Sequence, residues 1–371
     1  MIPAELAADP RVVLTLDAGG TSFRFTALRG GRPCLETRIR PTPADDLERC
    51  LAELVAGFED ARDRAPEAPV ALSFAFPGPA DYPSGIIGDL PNFPAFRGGV
   101  ALGPMLSERL GIPVFLQNDG DLFALGESLG GLLPEPNAAL AAVGTPKRFR
   151  NLVGITLGTG LGGGVARDGA IFTGDNSLAT EIHLFRHPGD PTRNAEEGAS
   201  IRAVRRRYAE LAGLPDEAGA PGVDVIARIA LGLAPGSTAA GETAFAELGA
   251  VVGDVLAHLL AVTDGLAVIG GGIAGAWPCF APAMFAELRR EFRRADGRPM
   301  RRLVAAPFDL ESPEERAVFL SGRVREIRVP GSSRTLAFDD FPRVGIGRSR
   351  LGTSEAIGLG AYAVAVRSLP R

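Results

Sequence analysis

The sequence predicts two α/β domains with mixed sheets and a cleft between them, and three features carry that prediction. VVLTLDAGGT (12–21) reads as a strand ending on an acid, Asp17, followed at once by Gly19, Gly20 and Thr21. Such a turn bends sharply and can aim its N–H groups at an anion. PVFLQNDGDLFALGE (113–127) reads as a short apolar strand that stops at Asn118 and Asp119, where the helical pattern Leu122, Phe123, Leu125, Leu129 begins. A carboxylate at a strand-to-helix handover is where α/β folds keep chemistry. Third, LTLDAGGTSFRFTALRGGRP (14–33) and VGITLGTGLGGGVARDGAIF (153–172) share one plan. Each is an apolar strand, a glycine-rich turn, a second strand, a tight turn (Gly30-Gly31 or Asp168-Gly169) and a third strand, so the chain reads as two related halves.

Each hairpin series is followed by helical spacing: Leu47, Leu51, Leu54 and Phe58 in the first half, Ile201, Val204, Tyr208 and Leu211 in the second. GESLGGLLPEPN interrupts the pattern with Gly, Pro and Asn and sets the crossing near residue 130. The expected domains are therefore 1–130, with the first glycine turn and Asp119, and 131–371. In the second, a long helix after Ala250 leads to the strand LAVIGGGI (266–273), another helix, a polar Arg-rich stretch from 287 to 350, and a last helix from near Thr353 that can pack back on the first domain.

Composition narrows the chemistry. The 371 residues, 46% of them apolar, suffice for a buried core. Net charge is −5, and no basic run is long enough to follow a nucleic-acid backbone; Arg205, Arg206 and Arg207 read as a solvated helix edge. No uninterrupted apolar stretch reaches the roughly 18 residues of a membrane span, and 248–262, the nearest, carries Asp254 and His258. Cys34, Cys50 and Cys279 are widely spaced and odd in number, and the first residues show no signal-peptide pattern, so a reducing cytoplasm is expected. Lys147 is the only lysine and lies in GTPKRFR, which excludes a Walker-type loop and makes a lysine Schiff base a poor reading. Any nucleotide must then be held by backbone amides, hydroxyls and a metal. GTGLGG (158–163) matches GxGxxG, but that fingerprint must open a helix. Here it runs through Gly164, Val165 and Ala166 into the Asp168-Gly169 turn, so it reads as a second phosphate-holding hairpin or a purely structural turn, and not as a dehydrogenase site.

LDAGGT, FPGPAD (76–81), LPNFP (90–94), LQNDGDLFALGE, LGTGLGGG, TEIHLF (180–185), AEEGAS (195–200), IGGGI and LGTSEAIGLGA together resemble the successive motifs of the ROK sugar kinases, over most of the chain. The resemblance implies an actin-like, ribonuclease-H-like two-domain ATPase fold that moves the ATP γ-phosphate to a hexose or N-acetylhexosamine hydroxyl, usually on carbon 6. It implies ATP and Mg²⁺ as cofactors, a cytoplasmic enzyme, and dimers as a common assembly. Carried over, Asp119 becomes the base that takes the sugar hydroxyl's proton, and Asn118 a contact to the ring. Asn92, Glu181, His183 and Glu196 join the sugar contacts. Gly19, Gly20 and Thr21, with Gly158, Thr159 and Gly160, become the two phosphate hairpins, Gly271 and Gly272 further nucleotide contacts, and Asp17 a partner of Mg²⁺ through water. The roles suit the chemistry, since phosphoryl transfer needs alignment and charge neutralisation, and Mg²⁺ prefers carboxylate oxygen.

Three departures from the family pattern stand out. ExGH appears as Glu181-Ile182-His183-Leu184, so the histidine has moved one place or been lost. RHPGDPTRNAEEGAS contains no cysteine where the family has a zinc motif, so no structural zinc is expected. Sixteen residues precede Asp17, so the DNA-binding domain of the family's repressors is not expected either. A non-catalytic sugar or nucleotide sensor would keep the same cleft without turnover; an actin-like filament protein would assemble with ATP and ignore sugars. The sequence leaves the sugar itself open.

Overall fold

The computed structural model describes residues 2–18, 22–89 and 93–370; Gly19, Gly20, Thr21 and Asn92 lie outside the described residues. The chain forms two compact units. The first holds Met1–Gly131, Gly164–Thr180 and Leu351–Arg371, and the second Leu132–Gly163 and Glu181–Arg350. The chain thus changes unit four times, and a single crossing near residue 130 is too simple a division.

Unit 1 begins with α1 (Ala4–Ala7), β1 (Val12–Ala18), β2 (Ser22–Arg29), β3 (Arg32–Pro33), β4 (Arg38–Pro41) and α2 (Leu47–Arg64). It continues with β5 (Ala71–Ala75), the small hairpin β6 (Ala80–Asp81) and β7 (Ile86–Ile87), α3 (Leu102–Leu110), β8 (Val114–Gln117) and α4 (Asp119–Leu129). The sheet order is β3-β2-β1-β5-β8, with β4 on β2; β1 and β2 are antiparallel, while β5 and β8 run parallel to β1 and to each other. The antiparallel part closes at Gly30-Gly31, both at positive φ, the backbone that a two-residue turn requires.

Strand alternation assigns the two faces of this sheet. Leu14, Leu16, Phe23, Phe25, Leu72 and Phe74 pack with Leu54 and Phe58 of α2 and Leu106 of α3. Phe25 meets Phe58 edge-on at 5.0 Å, and Phe58 meets Phe74 at 5.4 Å. On the other face Val13, Leu28 and Ala71 pack with Leu125 and Leu129 of α4 and with Leu359 and Tyr362 of α11 (Thr353–Ser368), the chain's last helix. Helices α4 and α11 touch backbone to backbone: a Cβ at Gly126 would overlap the Ala356 carbonyl, and one at Gly360 the Leu122 carbonyl. Ile171 joins this side through Ala75, Leu122 and Ala361, which is the physical reason that 164–180 belongs to unit 1.

Between α4 and α11 the chain forms α5 (Pro134–Ala142), β9 (Asn151–Leu157), β10 (Leu161–Arg167), β11 (Ala170–Ile171), α6 (Ile201–Ala212), α7 (Val223–Ala230), α8 (Thr238–Thr263), β12 (Leu266–Gly270) and α9 (Trp277–Leu288). Then come β13 (Glu291–Arg293), β14 (Pro299–Arg301), β15 (Ala306–Asp309), α10 (Pro313–Ser321), β16 (Val324–Arg328), β17 (Thr335–Asp339) and β18 (Arg343–Arg348). The second sheet has the order β11-β10-β9-β12-β18-β15, with β12 parallel to β9 and β18, and β18 parallel to β15. Its β10–β11 turn again uses two positive-φ residues, Asp168 and Gly169.

Helix α8 is long and apolar enough by composition to cross a membrane, but it is largely buried. It crosses α9 closely through Gly249 and Gly253, where a Cβ would meet the carbonyls of Phe280 and Met284. Asp254 of α8, with Glu287 of α9, pairs with the buried Arg302. The Arg-rich 287–350 stretch is therefore more than polar surface: it supplies two sheet strands, β15 and β18, and turns two of its cations, Arg302 and Arg343, inward. Arg343, 1% exposed, donates to the Phe319 carbonyl at 2.6 Å and sits 2.8 Å from Asp339. Burial alone would push the Asp339 carboxyl up, but Arg343 and two backbone N–H groups hold it at about 2.

Candidate active site

In unit 1, β1 is buried from Val12 to Leu16 and then delivers Asp17 exposed at the strand end. Two parallel strands further on, past β5, β8 ends at Gln117, and Asn118 caps α4 by accepting the Gly120 N–H at 2.8 Å. The neighbouring Asp119 accepts the same N–H at 2.8 Å, so its carboxylate is aimed by the first turn of the helix, whose dipole favours negative charge there. Burial among the surrounding protein pushes the Asp119 carboxyl above the ordinary carboxylate range. The N–H groups of Gly120 and of Asp119 itself oppose that rise, and the negative charge of Asp17 adds to it. The residue still reaches water, which weakens the burial contribution.

Asp17 has no ion pair or hydrogen bond among the described residues. Two carboxylates that repel each other at one sheet edge fit a hard divalent cation. Among the described residues no group of three or more His, Cys, Asp or Glu could hold a metal alone, so phosphate and water would have to complete its shell.

In unit 2, Gly158, Thr159 and Gly160 form the turn between β9 and β10, closed by the Gly158 N–H to the Gly160 carbonyl at 3.0 Å. Glu196 braces this turn. Its Oε2 accepts the Leu161 N–H at 3.1 Å, in space that a Cβ at Gly160 would take, and its Oε1 lies 3.2 Å from Arg202. Both oxygens of an expected sugar contact are thus engaged inside unit 2. Glu197 pairs with Arg206 at 2.8 Å. Gly271, at positive φ, packs on the backbone of Leu157, just before the same turn, and Gly272 follows it.

Glu181 precedes the short 3₁₀ turn Ile182–Leu184, which rests on β10 where Ile182 fills the space above Gly163. The Glu181 carboxylate lies 3.1 Å from His183 Nδ1, both about one-third exposed, whereas Leu184 is exposed and apolar. The cysteine-free loop that follows is stitched by backbone. The Ala195 N–H donates to the Phe185 carbonyl at 2.6 Å and the His187 N–H to the Arg193 carbonyl at 3.0 Å, while His187 Nδ1 accepts the N–H groups of Gly189 and Asp190, each at 3.1 Å. Burial lowers the His187 pKa; Asp190 and Glu247 oppose that shift, and Arg193 and Arg206 add to it. The structure thus gathers Asp17, Asn118 and Asp119 in unit 1, and Gly158, Thr159, Gly160, Glu196, Gly271 and Gly272 around one turn in unit 2.

Sequence reasoning passed over His187 and Arg202, and nothing in the local sequence marks them. It also passed over Arg24, whose signal was available: it alternates with the buried Phe23 and Phe25 on the strand after the first glycine turn.

The family model described as the ROK family matches residues 13–313. A glucokinase of Thermotoga maritima is 31% identical over 231 residues, 56% of this chain and 67% of that protein. An N-acetyl-D-glucosamine kinase of Vibrio cholerae is 32% identical over 174 residues, about half of each chain. Among solved structures, a glucokinase from Parabacteroides distasonis has 46% identity and a TM-score of 0.90, with 98% of this chain and 99% of that one covered. A ROK family glucokinase from Streptomyces griseus, solved with glucose and AMPPNP, has a TM-score of 0.62 at 20% identity over 94% and 98% of the two chains.

Proposed function

The chain belongs to the ROK family, with the actin-like two-domain ATPase fold of its relatives, and from that premise we propose that it is an ATP-dependent sugar kinase. It moves the γ-phosphoryl group to the hydroxyl on carbon 6 of a hexose or N-acetylhexosamine, with Asp119 as base. The observation that carries this reading is the Asp119 carboxylate, aimed by the first turn of α4 beside that of Asp17, which has no ion pair or hydrogen bond among the described residues. A base must accept the hydroxyl proton as the oxygen attacks. A carboxyl whose affinity for protons is raised, and which is held by backbone N–H groups of its own helix turn, is suited to that step.

Asn92, Asn118, Glu181 and His183 would contact the sugar; Glu196 is assigned to holding the second glycine turn. Gly19, Gly20, Thr21, Gly158, Thr159, Gly160, Gly271 and Gly272 would offer backbone and hydroxyl groups to the nucleotide. Asp17, through water, would hold the Mg²⁺ that neutralises phosphate charge. Identity over nearly the whole length to the Parabacteroides glucokinase makes glucose the first sugar to try. The test is ADP release measured across a hexose panel with Mg²⁺ and with EDTA. Turnover with at least one sugar, abolished by EDTA and restored by Mg²⁺ or Mn²⁺, is expected; no ADP release with any hexose would leave a sugar sensor of the same fold as the reading.

A further inference from the structure

Lys147, the only lysine, lies over the Phe149 ring at 5.1 Å in unit 2, and His183, His187 and His258 also belong to unit 2, so within unit 1 an arginine must supply any side-chain cation beside Asp17. Arg24 is placed to do so. It stands on β2 directly opposite Asp17 of β1, and it is exposed. Cross-strand partners lie within reach of one another, yet among the described residues the Arg24 guanidinium makes no ion pair and no hydrogen bond. Its neighbours Phe23 and Phe25 turn into the phenylalanine cluster, so Arg24 faces the other side of the sheet. There it walls a cavity of about 500 Å³ together with Thr15, Asp17, Thr26 and, from the start of α11, Ser354 and Glu355. Most arginines of the chain are committed to carboxylates; this one is not, and it opens onto the space next to the acid that would face the metal.

We propose that Arg24 binds the polyphosphate of the magnesium nucleotide beside Asp17. This rests on the kinase reading. In the transfer, the sugar oxygen forms a bond to the γ-phosphorus while the bond from that phosphorus to the β,γ-bridging oxygen breaks. The electron pair stays on ADP and the hydroxyl proton passes to Asp119. Negative charge therefore grows on the ADP β-phosphate, and a planar guanidinium can meet two of its oxygens at once. The carboxylates of Asp17 and Glu355 in the same wall favour the metal complex over the bare anion.

The test compares wild type with Arg24→Ala and Arg24→Lys. Arg24→Ala is expected to lower kcat/KM for ATP on the order of 10²-fold, with KM for the sugar nearly unchanged. Arg24→Lys should recover part of the loss, and added guanidinium should partly rescue the alanine variant. Unchanged kcat and KM for ATP in Arg24→Ala would overturn the proposal, as would a uniform loss of sugar and ATP binding with a lowered Tm. AMPPNP titration with Mg²⁺ separates this from the kinase reading. Should wild type turn over no sugar, the kinase reading fails; weaker AMPPNP binding in Arg24→Ala would still support the Arg24 contact, and equal affinity would overturn it.

Discussion

The two sheets repeat one plan: three antiparallel strands closed by a turn of two positive-φ residues, then parallel strands reached through helices. They differ in what they do with acid at the end of the first hairpin. In unit 1 the carboxylates of Asp17 and Asp119 have no ion pair among the described residues and repel each other. In unit 2 the acid beside the corresponding turn, Glu196, is engaged by a backbone N–H and an arginine. The same architecture thus leaves acids without a cation among the described residues in one half and braces a turn with an acid in the other.

Replacement of one acid from each half tests that contrast. Asp119→Asn keeps shape and loses the base, so kcat should fall by roughly 10²- to 10⁴-fold with little change in Tm. A coupled ADP assay and a melting curve read both, and near-normal turnover would erase the distinction. Glu196→Ala should do the reverse. It frees the Leu161 N–H and Arg202, costing about 1–3 kcal/mol of stability, and raises KM for ATP with a smaller change in kcat. A collapse of kcat at unchanged KM would place Glu196 among the reacting groups.

The smallest effect concerns pH. His187 serves unit 2 as a neutral acceptor, and its folded pKa lies below the ordinary imidazole value. Its contribution is therefore complete above about pH 6.5 and is lost as pH falls through the lowered folded value, where the ring gains a proton and Nδ1 can no longer accept. Between pH 8 and 5 the Tm of wild type should drop by about 1–2 °C more than that of His187→Gln, whose acceptor does not titrate. Parallel curves would show that the ring is not acting as a backbone acceptor.

Much of this was legible in the sequence because backbone requirements leave marks. Gly30-Gly31 and Asp168-Gly169 announce their turns, and the spacing of Leu47, Leu51, Leu54 and Phe58 announces α2. Asn118 and Asp119 are readable for the same reason, since a polar pair wedged between an apolar strand and a helix marks both the strand's end and the helix's cap. What could not be read is partnership across distance. The engagement of Glu196 depends on Leu161, 35 residues away, and Arg343 inside an apparently polar stretch is buried only because Asp339 and the Phe319 carbonyl meet it. The membership of residues 164–180 in unit 1 escapes for a related reason: Ile171 is an unremarkable apolar residue until Leu122 and Ala361 are known to lie beside it.

The contact of α4 with α11 also has a temporal side. One face of the first sheet is covered by a helix that follows the whole of unit 2 in the chain. While a ribosome is still making residues up to 350, Val13, Leu28 and Ala71 lack their cover from Leu359 and Tyr362, and Gly126 waits without the backbone that it admits. Unit 1 therefore closes only after unit 2 has been made, and α4, which carries Asp119, gains α11 as a neighbour only once residues 353–368 are in place.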